Sequence, residues 1–362
     1  MNRFKNNAFL VILFALMLVF IGCEGPAGSD GTDGADGNDG VAGTDGVDGN
    51  VTCLVCHSDE NLAMKQHEFN ASQHSSGDIA VSYAGGRSYC YPCHSHEQFV
   101  AHSAGLPPHN IANPSAWKCS TCHNLHTTFE YEDYALRTTD AAAIWNGGDF
   151  LLKGESMFKI NGNSNLCANC HQSRRAEPNM TNPGATFEIT STHYGPHHGA
   201  QTNVLVGEGF AEIPGTLAYP TAGSAAHMTP SCVGCHMTMG DHSFEPSLDG
   251  CTDCHTSITT FDHNGSQTEI HDLLVELRDL LVAAGVIEQE EEELYELNPE
   301  TGEIELVLHT GGYHPIKGTY DMILAQAFFN WVGLEEDRSM GVHNPDYVKA
   351  LLKNSIDAVN AL

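Results

Sequence analysis

The chain has 362 residues, with 15 Lys and Arg against 46 Asp and Glu and a formal net charge of −31. A phosphate backbone repels such a surface, which argues against nucleic acid as a partner. Its 41% hydrophobic content is a little low for one large apolar core, so either part of the chain lacks a core or something apolar other than side chains fills it.

The first residues read as an export signal. Arg3 and Lys5 give a positive start, and Ala8 to Ile21 is an apolar run too short for a comfortable membrane span. Phe20-Ile21-Gly22-Cys23 closes it. The small residue before a cysteine matches a lipobox, although Phe20 stands where Leu is usual. Residues 1–22 are therefore expected to be a lipoprotein signal peptide, with Cys23 lipidated and tying the chain to a membrane. Glycine then recurs at every third position from Gly25 to Gly49. Collagen needs that period because only Gly fits its crowded axis, but Pro26 is the only proline, and Asp30, Asp33, Asp36, Asp39, Asp45 and Asp48 fill third positions. Residues 23–50 are expected to form an acidic, self-repelling tether. The alternative is a short triple helix, which would make the protein a homo-oligomer.

Residues 51–265 carry the chemistry. Twelve of the 13 cysteines fall into six pairs: Cys53/Cys56, Cys90/Cys93, Cys119/Cys122, Cys167/Cys170, Cys232/Cys235 and Cys251/Cys254. Cys23 is the thirteenth, so no ordinary disulfide framework is left. CxxC alone suits zinc, a redox dithiol or an iron–sulfur ligand. Here every pair is followed at once by histidine: His57, His94, His123, His171, His236 and His255. CxxCH is the attachment signature of c-type haem. Each thiol adds to one vinyl group of the same porphyrin, and the adjacent imidazole points at the iron. Six covalently bound haems are expected, and they also account for the modest core. Gly, Pro, Asn and Ser recur between the motifs, as expected of loops that wrap cofactors, and short helices are expected to carry the motifs.

Each iron has a second face. Of the 22 histidines, the six in the motifs leave many spare in a chain poor in other basic residues, which fits bis-histidine ligation. His126 lies three residues after His123, too near to reach round to the far face of its own haem but free to point at a neighbouring one. The other distal candidates are His74, His197, His227, His242 and His343, with His193 and His198 competing for the place of His197. Met237 and Met239 are read as core packing.

Residues 266–362 hold no cysteine and change character. Ile270, Leu273, Leu274, Leu277, Leu280 and Leu281 recur at helical spacing, and Gly285 closes that helix. Glu288 to Glu293 reads as a solvated face or loop, and YELNPETGEIELV as a hairpin around Pro299–Gly302. Thr319 to Trp331 is expected to be an amphipathic helix stopped by Gly333. The last helix starts with Asn344 as N-cap, Pro345 at the first position and Asp346 beside the positive helix end. Val348, Leu351, Leu352, Ser355, Ile356 and Val359 form its buried stripe. The expected fold is thus mainly α, with much irregular loop around a haem stack and a C-terminal helical region with a small β-hairpin that supplies a distal ligand.

CSTCHNLH with DYALR, LCANCHQSRR, HYGPHHGAQTNVLVGEG, CVGCHM with GDHSF, and DRSMGVHNP resemble, in that order, a group of multihaem cytochromes c. The group is related to the pentahaem ammonia-forming nitrite reductases, hydroxylamine oxidoreductase and octahaem tetrathionate reductase. The resemblance implies distal roles for His126, His197, His242 and His343. It also marks a departure: the nitrite reductases carry a lysine-ligated CxxCK haem at the reaction site, and all six motifs here end in His. Arg174 and Arg175 would pair with haem propionates or hold an anionic substrate. An exported electron carrier serving redox partner proteins or extracellular acceptors is the favoured expectation. The alternatives are a reductase of a small nitrogen or sulfur oxyanion and an assembly driven by the glycine repeat.

Overall fold

In the computed structural model, which describes residues 58–125, 135–144, 157–158, 160, 162–181, 184–297 and 304–362, the chain folds by different rules on either side of residue 265. The expected signal peptide, Cys23, the tether, the first motif (Cys53, Cys56 and His57) and His126 lie outside the described residues. No described helix is long and apolar enough to cross a membrane.

Up to residue 265 the described elements are short. They include helices at Asp59–Ala71, His96–Ser103, Cys119–Cys122, Ser164–Ala168, Gln201–Val206 and Ser231–His236, with 3-10 turns at Ser88–Cys90 and Leu248–Cys251. Each described CxxCH motif rides on or beside such a turn, as the spacing requires: one turn of helix brings the two thiols and the following imidazole to one side. Met239 departs from expectation. It is 95% exposed with φ of 58° and packs no core.

Beyond residue 265 hydrophobic periodicity takes over. Strand β1 (Thr186–Ile189) comes from the motif region. It is followed in the chain by α1 (Ser266–Ala283), β2 (Ile287–Leu297), β3 (Ile304–Pro315), β4 (Gly318–Asp321), α2 (Met322–Asp337) and α3 (Pro345–Asn360). Ile270, Leu273, Leu274, Leu277 and Leu281 of α1 are buried with Phe328, Phe329 and Trp331 of α2 and Tyr347, Val348, Leu351, Leu352 and Ile356 of α3. Each such side chain contributes about 1.5–3 kcal/mol on leaving water, so the three helices form a core of the ordinary kind. The α3 cap is as expected: the Asn344 side chain accepts from Tyr347 N, with Pro345 following.

Three details differ from the sequence reading. The acidic run lies in a strand, because β2 pairs antiparallel with β3 from Ile287↔Pro315 to Leu297↔Ile304, a longer hairpin than expected. Residues 318–321 form a strand paired with β1, so α2 begins only at Met322, where Asp321 caps Ile323 N. Gly333 does not stop α2. A Cβ there would meet Phe210 and Pro196 at 2.6 Å, so the glycine serves close packing inside the helix. The helix ends at Arg338, in a left-handed conformation.

Buried amides tie the two regions together. Asn330 of α2 accepts from Ala211 N and donates to Ala211 O, both at 2.8 Å. Asn354 of α3 accepts from Leu217 N at 3.0 Å and donates to Leu217 O at 2.8 Å. Polar groups buried this deeply cost energy unless paired, so these four bonds hold the 211–217 strand of loop in one place.

Candidate functional site

The motif turns converge on one cavity of about 2790 Å³, several times the usual small-ligand pocket of roughly 300–1,000 Å³. Protein interiors close-pack like organic crystals, so a space of this size between apolar walls suits large apolar ligands. Leu62, Phe69, Trp117, Leu166, Leu205, Phe244 and Ile258 contribute to those walls. All five described motifs reach it: Cys93 and His94; Cys119, Cys122 and His123; Cys167, Cys170 and His171; Cys232, Cys235 and His236; Cys251, Cys254 and His255. Cys90 is buried just behind its partner.

Every described motif histidine faces a second histidine across this cavity. Ring centres stand 5.9 Å apart for His171 and His74, 5.9 Å for His94 and His197, 6.4 Å for His123 and His242, 6.3 Å for His255 and His227, and 6.4 Å for His236 and His343. Two imidazoles bound to opposite faces of one metal, each by a bond of about 2.0–2.1 Å, put their ring centres about 6 Å apart. The five distal candidates that fall among the described residues are the five partners found. Around residue 197 the three histidines are placed differently: His197 faces His94, His198 is paired with Glu336 at 2.9 Å, and His193 stands 6.3 Å from His314, away from the cavity. His263 also stands beside His255, at 4.4 Å, too close for an ion between the rings.

Burial favours the neutral form of five of these rings, the form in which imidazole binds metal. Burial, with His171 nearby, lowers the pKa of His74 to about 4. Burial, then Arg174 and the neighbouring histidines, lowers that of His197 to about 3. Burial also lowers His94, His123 and His171. His343 goes the other way: burial would depress it, but Asp337 beside it raises it.

The donor set fits c-type haem better than zinc. Zinc takes thiolates in a tetrahedral cluster. Here burial raises Cys122 to about 11, and also raises Cys90 and Cys235; among the described cysteines only Cys232, through its hydrogen bond with Cys167, is lowered, to about 6. Among the described residues no group of three or more His, Cys, Asp and Glu is placed to hold an ion, and the ten described cysteines are free. A flat group entered between each pair of rings, next to two thiols, would fit this arrangement of apolar walls, cysteines and paired imidazoles.

Ring orientation is set by hydrogen bonds at Nδ1. His236 donates to Phe244 O at 2.9 Å, His242 to Gly240 O at 2.8 Å and His227 to Val342 O. The His171 ring meets Gln201 Oε1 at 3.2 Å. His343 donates to a carboxylate, Asp337 Oδ1, at 2.7 Å. Sequence reasoning gave Asp337 no role: it opens the DRSMGVHNP stretch, but only the turn between it and His343 brings its carboxylate to the ring. Arg174 lines the cavity and donates to Tyr89 O, while Arg175 lies over the Tyr194 ring at 5.7 Å.

No family model and no curated protein matches the chain. Among solved structures the chain is similar to the crystal structure of the outer cell wall cytochrome OcwA, with a TM-score of 0.49 and 16% identity. The match covers 82% of this chain and 50% of that one, so the chain spans about half the length of this neighbour. A likeness this weak carries no functional argument, which rests on the site itself.

Proposed function

We propose that the protein is an exported, lipid-anchored c-type cytochrome that carries electrons along closely spaced haems, six in all, to or from extracytoplasmic partners. The observation that carries this reading is the ring pairing: five CxxCH histidines, each facing a non-motif histidine at 5.9–6.4 Å around one cavity.

When bound, c-type haem supplies a one-electron iron centre. The chain's residues do the rest. The paired cysteines anchor each porphyrin. His94, His123, His171, His236 and His255 would each hold one haem iron, with His197, His242, His74, His343 and His227 as the respective second imidazoles. Both faces taken by imidazole leave no place for a small oxyanion, which favours a carrier over a reductase. Cys167 lies against Cys232, and Cys170 against Cys93, so neighbouring attachment sites adjoin and electrons have short paths between them. His57 and His126 would serve the sixth haem, and Cys23 the membrane. The acidic surface suits partners with basic patches or metal cations, with encounters that weaken as salt rises.

The test is the purified holoprotein. Mass spectrometry is expected to give six covalent haems, with optical and EPR spectra wholly low-spin and unchanged by nitrite or hydroxylamine. A polypeptide carrying zinc or free thiols would end the haem reading. A high-spin iron that turns over nitrite with reduced dye would replace the carrier with a reductase.

A further inference from the structure

The hydrogen bond from His343 to Asp337 sets one ligand pair apart. The Asp337 side chain is 1% exposed, at the last residue of α2. The chain then turns back through Arg338 (φ 59°), Met340 (φ 48°) and Gly341 (φ 83°) to bring His343 onto that carboxylate. Such backbone is unfavourable for non-glycine residues and persists only where the surroundings enforce it. Here a Cβ on Gly341 would come within 2.8 Å of Ile270, so the turn is pressed against α1. Ser339 Oγ, inside the turn, donates to the second oxygen, Asp337 Oδ2. Both carboxylate oxygens are therefore committed: one to the ring, one to a hydroxyl.

We propose that Asp337 is a positioning residue that lowers the reduction potential of the haem held between His236 and His343. This rests on the haem reading above. A carboxylate accepting Nδ1–H makes the imidazole a stronger donor at its other nitrogen. Stronger donation and a buried negative charge both favour Fe(III) over Fe(II). The change is one electron at the iron, with no bond broken and Nδ1–H retained. His227 and His236, by contrast, donate to uncharged carbonyls, which leave their irons without this bias; His242 donates to Gly240 O, with the Glu68 carboxylate 3.8 Å from the same nitrogen and not hydrogen-bonded to it. Hydrogen bonding to the ligand imidazole is one of the protein's main levers on haem potential, and the chain applies a charged form of it at this site.

The experiment is a redox titration of the holoprotein, with dithionite supplying electrons through dye mediators, on wild type, Asp337→Asn and Ser339→Ala. Asp337→Asn keeps the shape and removes the charge. One haem wave is expected to move positive by at least tenfold in its equilibrium constant, which is 59 mV for one electron, with the others in place and all haems low-spin. Ser339→Ala frees the carboxylate from its hydroxyl, so the same wave is expected to move negative by twofold or more. That variant decides the matter if Asp337→Asn fails to fold. No movement in either variant, a uniform movement of every wave, or loss of low-spin character at that iron would overturn the assignment. A wild-type chain without covalent haem would instead sink the reading beneath it.

Discussion

Removing the distal ring at His197 separates ligation from folding more cleanly than any other site. His197 holds φ at 78°, a left-handed conformation that costs a side-chain-bearing residue roughly 1–2 kcal/mol and glycine almost nothing. His197→Gly therefore relieves the backbone. Against this stands the loss of a mostly buried ring, about 1–3 kcal/mol for the contacts and the cavity left behind. The two nearly offset, so what the holoprotein loses is mainly the loop closed through the iron between His94 and His197, at most about 4.7 kcal/mol by analogy with a disulfide of that span. At about 2–4 °C per kcal/mol the melting temperature should fall by less than about 20 °C. The haem count should not change, because Cys90, Cys93 and His94 are intact. What should change is the spin state: one haem becomes high-spin by EPR and optical spectroscopy, binds added imidazole, and returns to low-spin when it does. His198→Gly is the control. His198 is 5.2 Å from His197 but occupied by Glu336, so it should leave every haem low-spin. A His197→Gly protein that keeps all its haems, all of them low-spin without added imidazole, would refute the ring-pair reading.

The remaining predictions use other parts of the molecule. His227→Ala should open the iron of His255 and His263→Ala should not, although His263 is nearer; the opposite result by EPR would reassign the ligand. Gly333→Ala should destabilise by about 1–3 kcal/mol through overpacking against Phe210 and Pro196, lowering the thermal midpoint. Because Pro196 precedes His197, it should also perturb the haem of His94 before the others. Leu277→Ala, in the α1 core, should cost about 2–5 kcal/mol in denaturant titration yet leave every haem wave in place.

How much could be read in advance divides along the chain. In residues 266–362 the apolar stripes of α1 and α3 were plain, because helices that bury one face against each other must repeat at that period. The limits of α2 were not. Glycine normally ends helices, and only the tertiary approach of Phe210 and Pro196 explains Gly333 inside one. The strand character of Glu288–Glu293 was hidden too, since β2 alternates no clear apolar face. In residues 58–265 the reverse holds. The fold there was nearly illegible, with short elements and no period, while the chemistry was plain from CxxCH. Of the spare histidines, His343 was marked by the cap beside it, while nothing local separated His197 from His193 and His198. Neither Asp337 nor the β1–β4 pairing carries a local signal, because each depends on residues brought together only by the fold.

That contrast has a physical origin under the proposed ligation. His74 and His171, His94 and His197, His123 and His242, and His236 and His343 are each about a hundred residues apart, so each iron would close a long loop, the case in which cross-links remove most entropy from the unfolded chain. In the chain-entropy treatment of disulfides a loop of that length is worth about 4.7 kcal/mol. The four loops overlap, so their effects do not simply add, but even part of the sum rivals the roughly 5–15 kcal/mol that holds a whole domain together. The thiols add a second tether at each site. A region fastened in this way does not need amphipathic helices to choose its fold. It needs imidazoles at the right distances, which is why its sequence spends histidine where other chains spend leucine. The C-terminal helices do bury an apolar core, and it is from that core that Asp337, His343 and Asn344 reach the edge of the cavity.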